Sequence, residues 1–116
     1  MTLIECFDPI PIRNVVACLR LQPEKLIFLG DMEFMESRIR AYRELFARRA
    51  KNTQVELYHV RLDDRDDIFR TLEEITGQED ACVIDITGGA EQLLMAVGAV
   101  TMGRSERKVS VQKFEL

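Results

Sequence analysis

Short apolar runs alternate with longer stretches patterned at helical spacing, and this alternation restricts the fold more than any other feature of the chain. The runs are Leu3 to Phe7, Lys25 to Leu29, Val55 to Val60, Ala81 to Ile86 and Lys108 to Phe114. A first helix is predicted from Ile12 to Leu21, turning Val15, Val16 and Leu19 inward and ending before Pro23. One long helix is predicted from Glu33 or Phe34 to Lys51, with Met35, Ile39, Tyr42 and Phe46 at helical spacing. Ile68, Leu72 and Ile75 mark a third helix, capped by Gly77, and the fourth runs from Ala90 to Met102, where Gly103 stops it. Strands and helices joined by short connections form a parallel sheet with right-handed crossovers. The inner strands are apolar on both sides, so helices must cover both faces. The expected fold is therefore α/β, a Rossmann-like doubly wound and mainly parallel sheet of order 3-2-1-4-5. The cleanly alternating last strand lies at its edge.

The chain has 116 residues, enough for one domain with a real core. A net charge of −4 argues against coating a nucleic acid, and no apolar stretch approaches the ~20 residues of a membrane span. The start, Met1 to Phe7, lacks the basic residues and small-residue cleavage site of a signal peptide, which suits a cytoplasmic protein. Cys6, Cys18 and Cys82 all lie in apolar segments and are odd in number, so they read as buried, reduced thiols. No catalytic residue, metal site or cofactor is assigned.

In a sheet of this order the first and fourth strands are neighbours, and the winding reverses between them. A crevice opens at that reversal, walled by the turns that leave the two strands. The first turn comprises Asp8, Pro9, Ile10, Pro11, Arg13 and Asn14, and the second Thr87, Gly88, Gly89, Ala90 and Glu91. Gly30, Asp31, Met32 and Glu33, after the second strand, stand beside them. Adjacent glycines uncover backbone N–H groups, and the helix that follows adds the positive end of its dipole. Such a corner holds an anion; the plainer reading makes Thr87 the N-cap of that helix. The glycine-rich dinucleotide fingerprint and the Walker A motif are both missing. Asp8, Asp31, Glu33 and Glu91 repel a triphosphate but accept hydrogen bonds from ribose and adenine. A nucleotide-like ligand with few phosphates per base fits best.

Other polar residues have plainer accounts. His59 reads as a strand-end residue without a chemical role, and the aspartates from Asp63 to Asp67 as helix N-terminal groups whose spacing fails the EF-hand pattern. The arginines of the long helix read as a solvated face. Asp85, in an apolar strand, must be hydrogen-bonded or shift its pKa, and it is expected to brace the Thr87-Gly88-Gly89 turn from behind.

The Pro-rich turn leading to Arg13-Asn14, the run Leu21-Gln22-Pro23-Glu24-Lys25-Leu26-Ile27-Phe28-Leu29, and Asp85-Ile86-Thr87-Gly88-Gly89 together resemble CRISPR-associated Rossmann-fold (CARF) domains. More narrowly, the chain resembles the N-terminal sensor domain of CARF proteins fused to a restriction-endonuclease-like nuclease. The resemblance covers nearly the whole chain. It implies a homodimer that binds a cyclic oligoadenylate second messenger, cyclic tetra-adenylate first, across its two-fold axis during type III CRISPR antiviral defence. The ligand contacts it implies fall on Asp8 to Asn14, Gly30 to Glu33 and Thr87 to Glu91. Leu94, Val97 and Thr101 would form the dimer surface, unless they only cover the sheet. The effector nuclease domain is expected in a longer protein, since the resemblance is to proteins that continue into a second, catalytic domain. Direct nucleic-acid binding by this domain is not expected. Two alternatives stay open. One is a ring nuclease that slowly cuts its own ligand with help from Thr87, Asp31 or Glu33. The other is a Rossmann-like interaction domain without a nucleotide, whose activity would survive substitution of Gly88 and Gly89.

Overall fold

The computed structural model describes residues 1–102 and 108–115. Its strands are β1 (Thr2–Cys6), β2 (Lys25–Gly30), β3 (Gln54–His59), β4 (Ala81–Asp85) and β5 (Lys108–Gln112). Its helices are α1 (Pro11–Leu21), α2 (Met32–Glu36), α3 (Ile39–Arg49), α4 (Arg65–Gln78) and α5 (Glu91–Met102). The five strands form one sheet in the order β3-β2-β1-β4-β5, and every pairing is parallel. This is the expected doubly wound order, with β5 at the edge.

Alternation along the central strands sorts the core into two layers. Ile4, Cys6, Ile27, Leu29, Cys82 and Ile84 meet Ile68, Leu72 and Ile75 of α4 and Leu93, Ala96, Val97 and Val100 of α5. Leu3, Leu26, Phe28 and Val83 meet α1, α2 and α3 on the other face, through Val15, Ala17, Cys18, Met35, Tyr42 and Phe46. Phe7, just past β1, packs edge-on against both Phe28 and Phe34, at centroid distances of 5.1 and 5.4 Å. Burying each large aliphatic side chain in these layers contributes about 1.5–3 kcal/mol.

The long second helix of the sequence reading is two helices. The Ser37 hydroxyl donates to the Phe34 carbonyl at 2.7 Å. In a continuous helix that carbonyl would accept the Arg38 N–H. The Arg38 N–H instead reaches the Met35 carbonyl, three residues back, at 3.0 Å. The chain kinks there, yet Met35, Tyr42 and Phe46 all remain buried. Other boundaries shift by a residue or two. β1 begins at Thr2, β4 ends at Asp85 and β5 at Gln112, and α5 begins at Glu91. Gly77 lies inside α4, whose cap is Glu79. Gly103, the expected stop of the last helix, lies outside the described residues.

Asp64 is the N-cap of α4, its side chain accepting from the Asp67 N–H at 3.1 Å, and Asp67 accepts the Arg61 N–H at 2.8 Å. The Arg61 N–H, followed by Arg70, holds the Asp67 carboxyl below its usual range. Asp64→Ala is expected to lower stability by about 1 kcal/mol, measurable as a lower urea midpoint with an unchanged slope. All three cysteines are free and buried. Burial pushes the Cys6 thiol up to about 12 and the Cys18 and Cys82 thiols up to about 11, so each stays protonated at neutral pH. Among the described residues, no helix is long and apolar enough to cross a membrane.

Candidate functional site

β1 and β4 lie side by side in register, from Thr2 opposite Cys82 to Glu5 opposite Asp85, so their exits adjoin. The closest approach is at Gly89. A Cβ placed there would fall 2.4 Å from the Cys6 Cβ, and Gly89 has a φ of +110°. Both the room and the backbone conformation require glycine. The two turns predicted to share a crevice are thus in direct contact.

Asp8 links them. Its carboxylate is buried and accepts the Gly89 N–H at 2.7 Å through Oδ2 and the Ile10 N–H at 2.8 Å through Oδ1. The half-exposed Arg13 guanidinium lies 3.7 Å from the same Oδ2. Asn14, fully buried, clamps the main chain of Asp8. Its Oδ1 accepts the Asp8 N–H and its Nδ2 donates to the Asp8 carbonyl, both at 2.7 Å. Nδ2 also donates to the Tyr42 hydroxyl at 3.1 Å, tying the turn to α3. Pro9, Ile10 and Pro11 project from this frame, exposed, with Pro11 opening α1.

The second turn is held from below. The Thr87 N–H and hydroxyl both donate to Asp85 Oδ1, at 2.8 and 2.5 Å. The Thr87 hydroxyl oxygen accepts the Phe114 N–H at 2.8 Å. Asp85 therefore braces the turn as expected. Thr87 is not the N-cap of the following helix, because α5 starts four residues later and Ala90 accepts its first N–H groups, from Leu93 and Leu94.

These bonds correct one expectation. The corner does not bare all its amides, since those of Thr87 and Gly89 are taken by Asp85 and Asp8. No acceptor among the described residues pairs with the N–H groups of Gly88, Ala90, Glu91 or Gln92. The open donors thus sit one step further along, at the start of the twelve-residue α5.

The turn after β2 flanks the site through Phe7, whose Cβ leaves only 3.0 Å to a Cβ built on Gly30. Asp31 is the N-cap of α2, accepting from the Phe34 N–H at 3.1 Å. The Met32 N–H donates to Nδ1 of His59 at 2.9 Å, so His59 braces this turn rather than merely ending β3. Glu33 and Glu91 are exposed. Leu94, Val97 and Thr101 do not form one continuous outer face, since Leu94 and Thr101 are partly exposed but Val97 is buried. Val97 is in the core, Leu94 packs against it, and the Thr101 hydroxyl bonds the Val97 carbonyl at 2.8 Å.

Sequence reasoning missed Glu5 and Tyr42. Glu5 is buried beside Asp85 and was hidden in an apolar run, although both acids sit near the ends of strands that are neighbours. Tyr42 showed only as a member of an inward stripe, whereas its hydroxyl serves Asn14.

No protein-family model matches the chain, and no curated protein does. Among solved structures it is similar to Can2 from Sulfobacillus thermosulfidooxidans in complex with cyclic tetra-adenylate (cA4), with a TM-score of 0.83 at 16% identity. The match covers 98% of this chain and 32% of that one, so the chain spans about a third of the length of the protein it matches. The likeness is one of fold: a Rossmann-like five-stranded parallel sheet with helices on both faces, carried here by residues 1–102 and 108–115.

Proposed function

We propose that this domain is a sensor of cyclic oligoadenylate, cyclic tetra-adenylate first among the rings. It would bind the ring across a homodimer and report occupancy to an effector of type III CRISPR defence. The observation that carries this reading is the joining of the β1 and β4 exits into one site, in a fold shared over nearly the whole chain with a protein bound to cA4.

The chemistry of the site suits such a ring. Phosphodiester oxygens are acceptors, and the N–H groups of Gly88, Ala90, Glu91 and Gln92 lie at the positive end of α5. Arg13 is close enough to Asp8 to be oriented by it and exposed enough to turn to a phosphate. Ile10, 44% exposed, with Pro9 and Pro11 offers an apolar shelf for a purine face. Exposed Glu33 and Glu91 accept from ribose hydroxyls and disfavour dense phosphate. A two-fold ring meets the same groups from each copy of an isologous dimer. A ring-cutting role draws less support, because Thr87 and Asp31 are already engaged in structural bonds.

Calorimetry with cA4, beside linear tetra-adenylate as control, tests the reading. The expected result is one ring per two chains, with the folded state stabilised by about 2.7 kcal/mol at a hundredfold excess over Kd. Neither heat nor a melting shift at high micromolar cA4 would overturn it.

A further inference from the structure

Glu5 of β1 and Asp85 of β4 are register partners on adjacent strands, 1% and 0% exposed, and parallel pairing turns their side chains to the same face of the sheet. Asp85 Oδ1 is occupied by the N–H and the hydroxyl of Thr87. Asp85 Oδ2 and Glu5 Oε2 find no donor among the described residues. Two ionised carboxylates cannot face each other in a dry interior, and two orphan acceptors there are costly. One proton between them turns both orphans into partners. We propose that Glu5 keeps its carboxyl proton in the folded protein and donates it in a hydrogen bond to Asp85, and that this linked pair is the positioning device for the Thr87-Gly88-Gly89 ligand turn.

The surroundings agree. Beside the pair, α1 contributes Cys18, β2 contributes Phe28 and β5 sets Gln112 next to Asp85, and among the described residues no cation forms an ion pair with either acid. Burial first, then the hydrogen bond and the charge of Asp85, then Cys18, raise the Glu5 carboxyl well above its ordinary value. Cys6, on the opposite face of β1, feels both acids and stays a thiol. Asp85 is the last residue of β4 and holds Thr87, so separating the acids moves the turn. Glu5 touches no ligand in this account and acts through Asp85, which makes it a positioning residue.

The direction of the pH effect follows. The unfolded chain releases the Glu5 proton near the ordinary glutamate value of about 4.3, while the folded chain keeps it to a higher pH. The folded state then binds more protons, so stability falls as pH rises from that value through the folded one.

Three readouts decide. Infrared spectra of the wild-type protein at neutral pH are expected to show a protonated carboxylic C=O band that Glu5→Gln abolishes. The wild-type melting temperature, followed from about pH 6 to about pH 9, is expected to fall more steeply than that of Glu5→Gln, whose amide donates to Asp85 at every pH. Protection of the Thr87 and Gly89 amides, taken relative to the intrinsic base-catalysed exchange rate at each pH, should fall over the same range in the wild type alone. Absence of the C=O band, or parallel melting and exchange profiles, overturns the proposal; the wild-type spectrum decides even if the variant does not fold. A ligand arm rests on the cyclic-oligoadenylate reading. Wild-type affinity for cA4 should weaken with rising pH, while Glu5→Gln keeps its affinity within about twofold. If cA4 binds neither protein at any pH, that reading fails while the spectra, melting and exchange still decide on the Glu5 proton.

Discussion

Gly89→Ala is expected to be the most damaging single substitution at the site, costing about 2–6 kcal/mol. Two physical terms add. A non-glycine residue at φ +110° stores about 1–3 kcal/mol of backbone strain. The new methyl would also lie 2.4 Å from the Cys6 Cβ and 3.1 Å from the Cys6 carbonyl oxygen, and overpacking of this kind costs about 1–3 kcal/mol. Cys6 is the last residue of β1, in the middle of the sheet, and cannot yield without disturbing its pairing with Leu29 of β2. Small domains hold only about 5–15 kcal/mol in total, so the variant should melt far below the wild type or fail to fold. Gly88→Ala is a milder contrast with a different cause. Its Cβ would meet the Asp8 carboxylate at 2.6 Å and the Arg13 Cβ at 3.0 Å. Asp8 can swing away, but it must then release the Gly89 N–H. That variant should fold and lose ligand binding. Urea denaturation of the two proteins side by side checks the order, and equal stabilities would contradict it.

Asn14→Ala should cost about 3 kcal/mol. Asn14 is completely buried and makes three hydrogen bonds, two to the main chain of Asp8 and one to Tyr42. Truncation leaves the Asp8 N–H and carbonyl and the Tyr42 hydroxyl without this partner, and each buried orphan costs about 1–3 kcal/mol. Tyr42→Phe removes only the outermost bond and should cost about 1 kcal/mol. The comparison separates a clamp on Asp8 from generic core packing. If both variants lost the same stability, the clamp would carry no special weight. Faster amide exchange at Asp8 and Gly89 in Asn14→Ala, with α4 unchanged, would locate the damage at the shared turn.

The sheet order was legible because β-strand runs and helical stripes differ in period, and because short connections leave few parallel topologies. The break between α2 and α3 was not. Apolar spacing continues through Met35, Ile39, Tyr42 and Phe46, and only a local competition at the Phe34 carbonyl, entered by the Ser37 hydroxyl, interrupts the backbone. The meeting of the Asp8 and Gly89 turns was legible from topology, since neighbouring strands of a parallel sheet release their chains at the same edge. What topology could not supply was the direction of the side chains. Asp8 reads as a surface acid in a proline turn, yet it faces inward and takes an amide that seemed free for a ligand. Asp31 likewise spends its carboxylate on α2. Glu5 escaped notice because one acid in an apolar run resembles noise until its register with Asp85 is known.

The account rests on one site shared by the exits of β1 and β4. Backbone amide shifts, mapped by NMR as cA4 is added to the folded domain, test it most directly. The account predicts that Gly88, Ala90, Glu91 and Gln92 respond together with Ile10 and Arg13, as one set and at one ligand ratio, while α4 stays still. A response confined to α4 and the outer face of α5, or none at saturating ring, would contradict it.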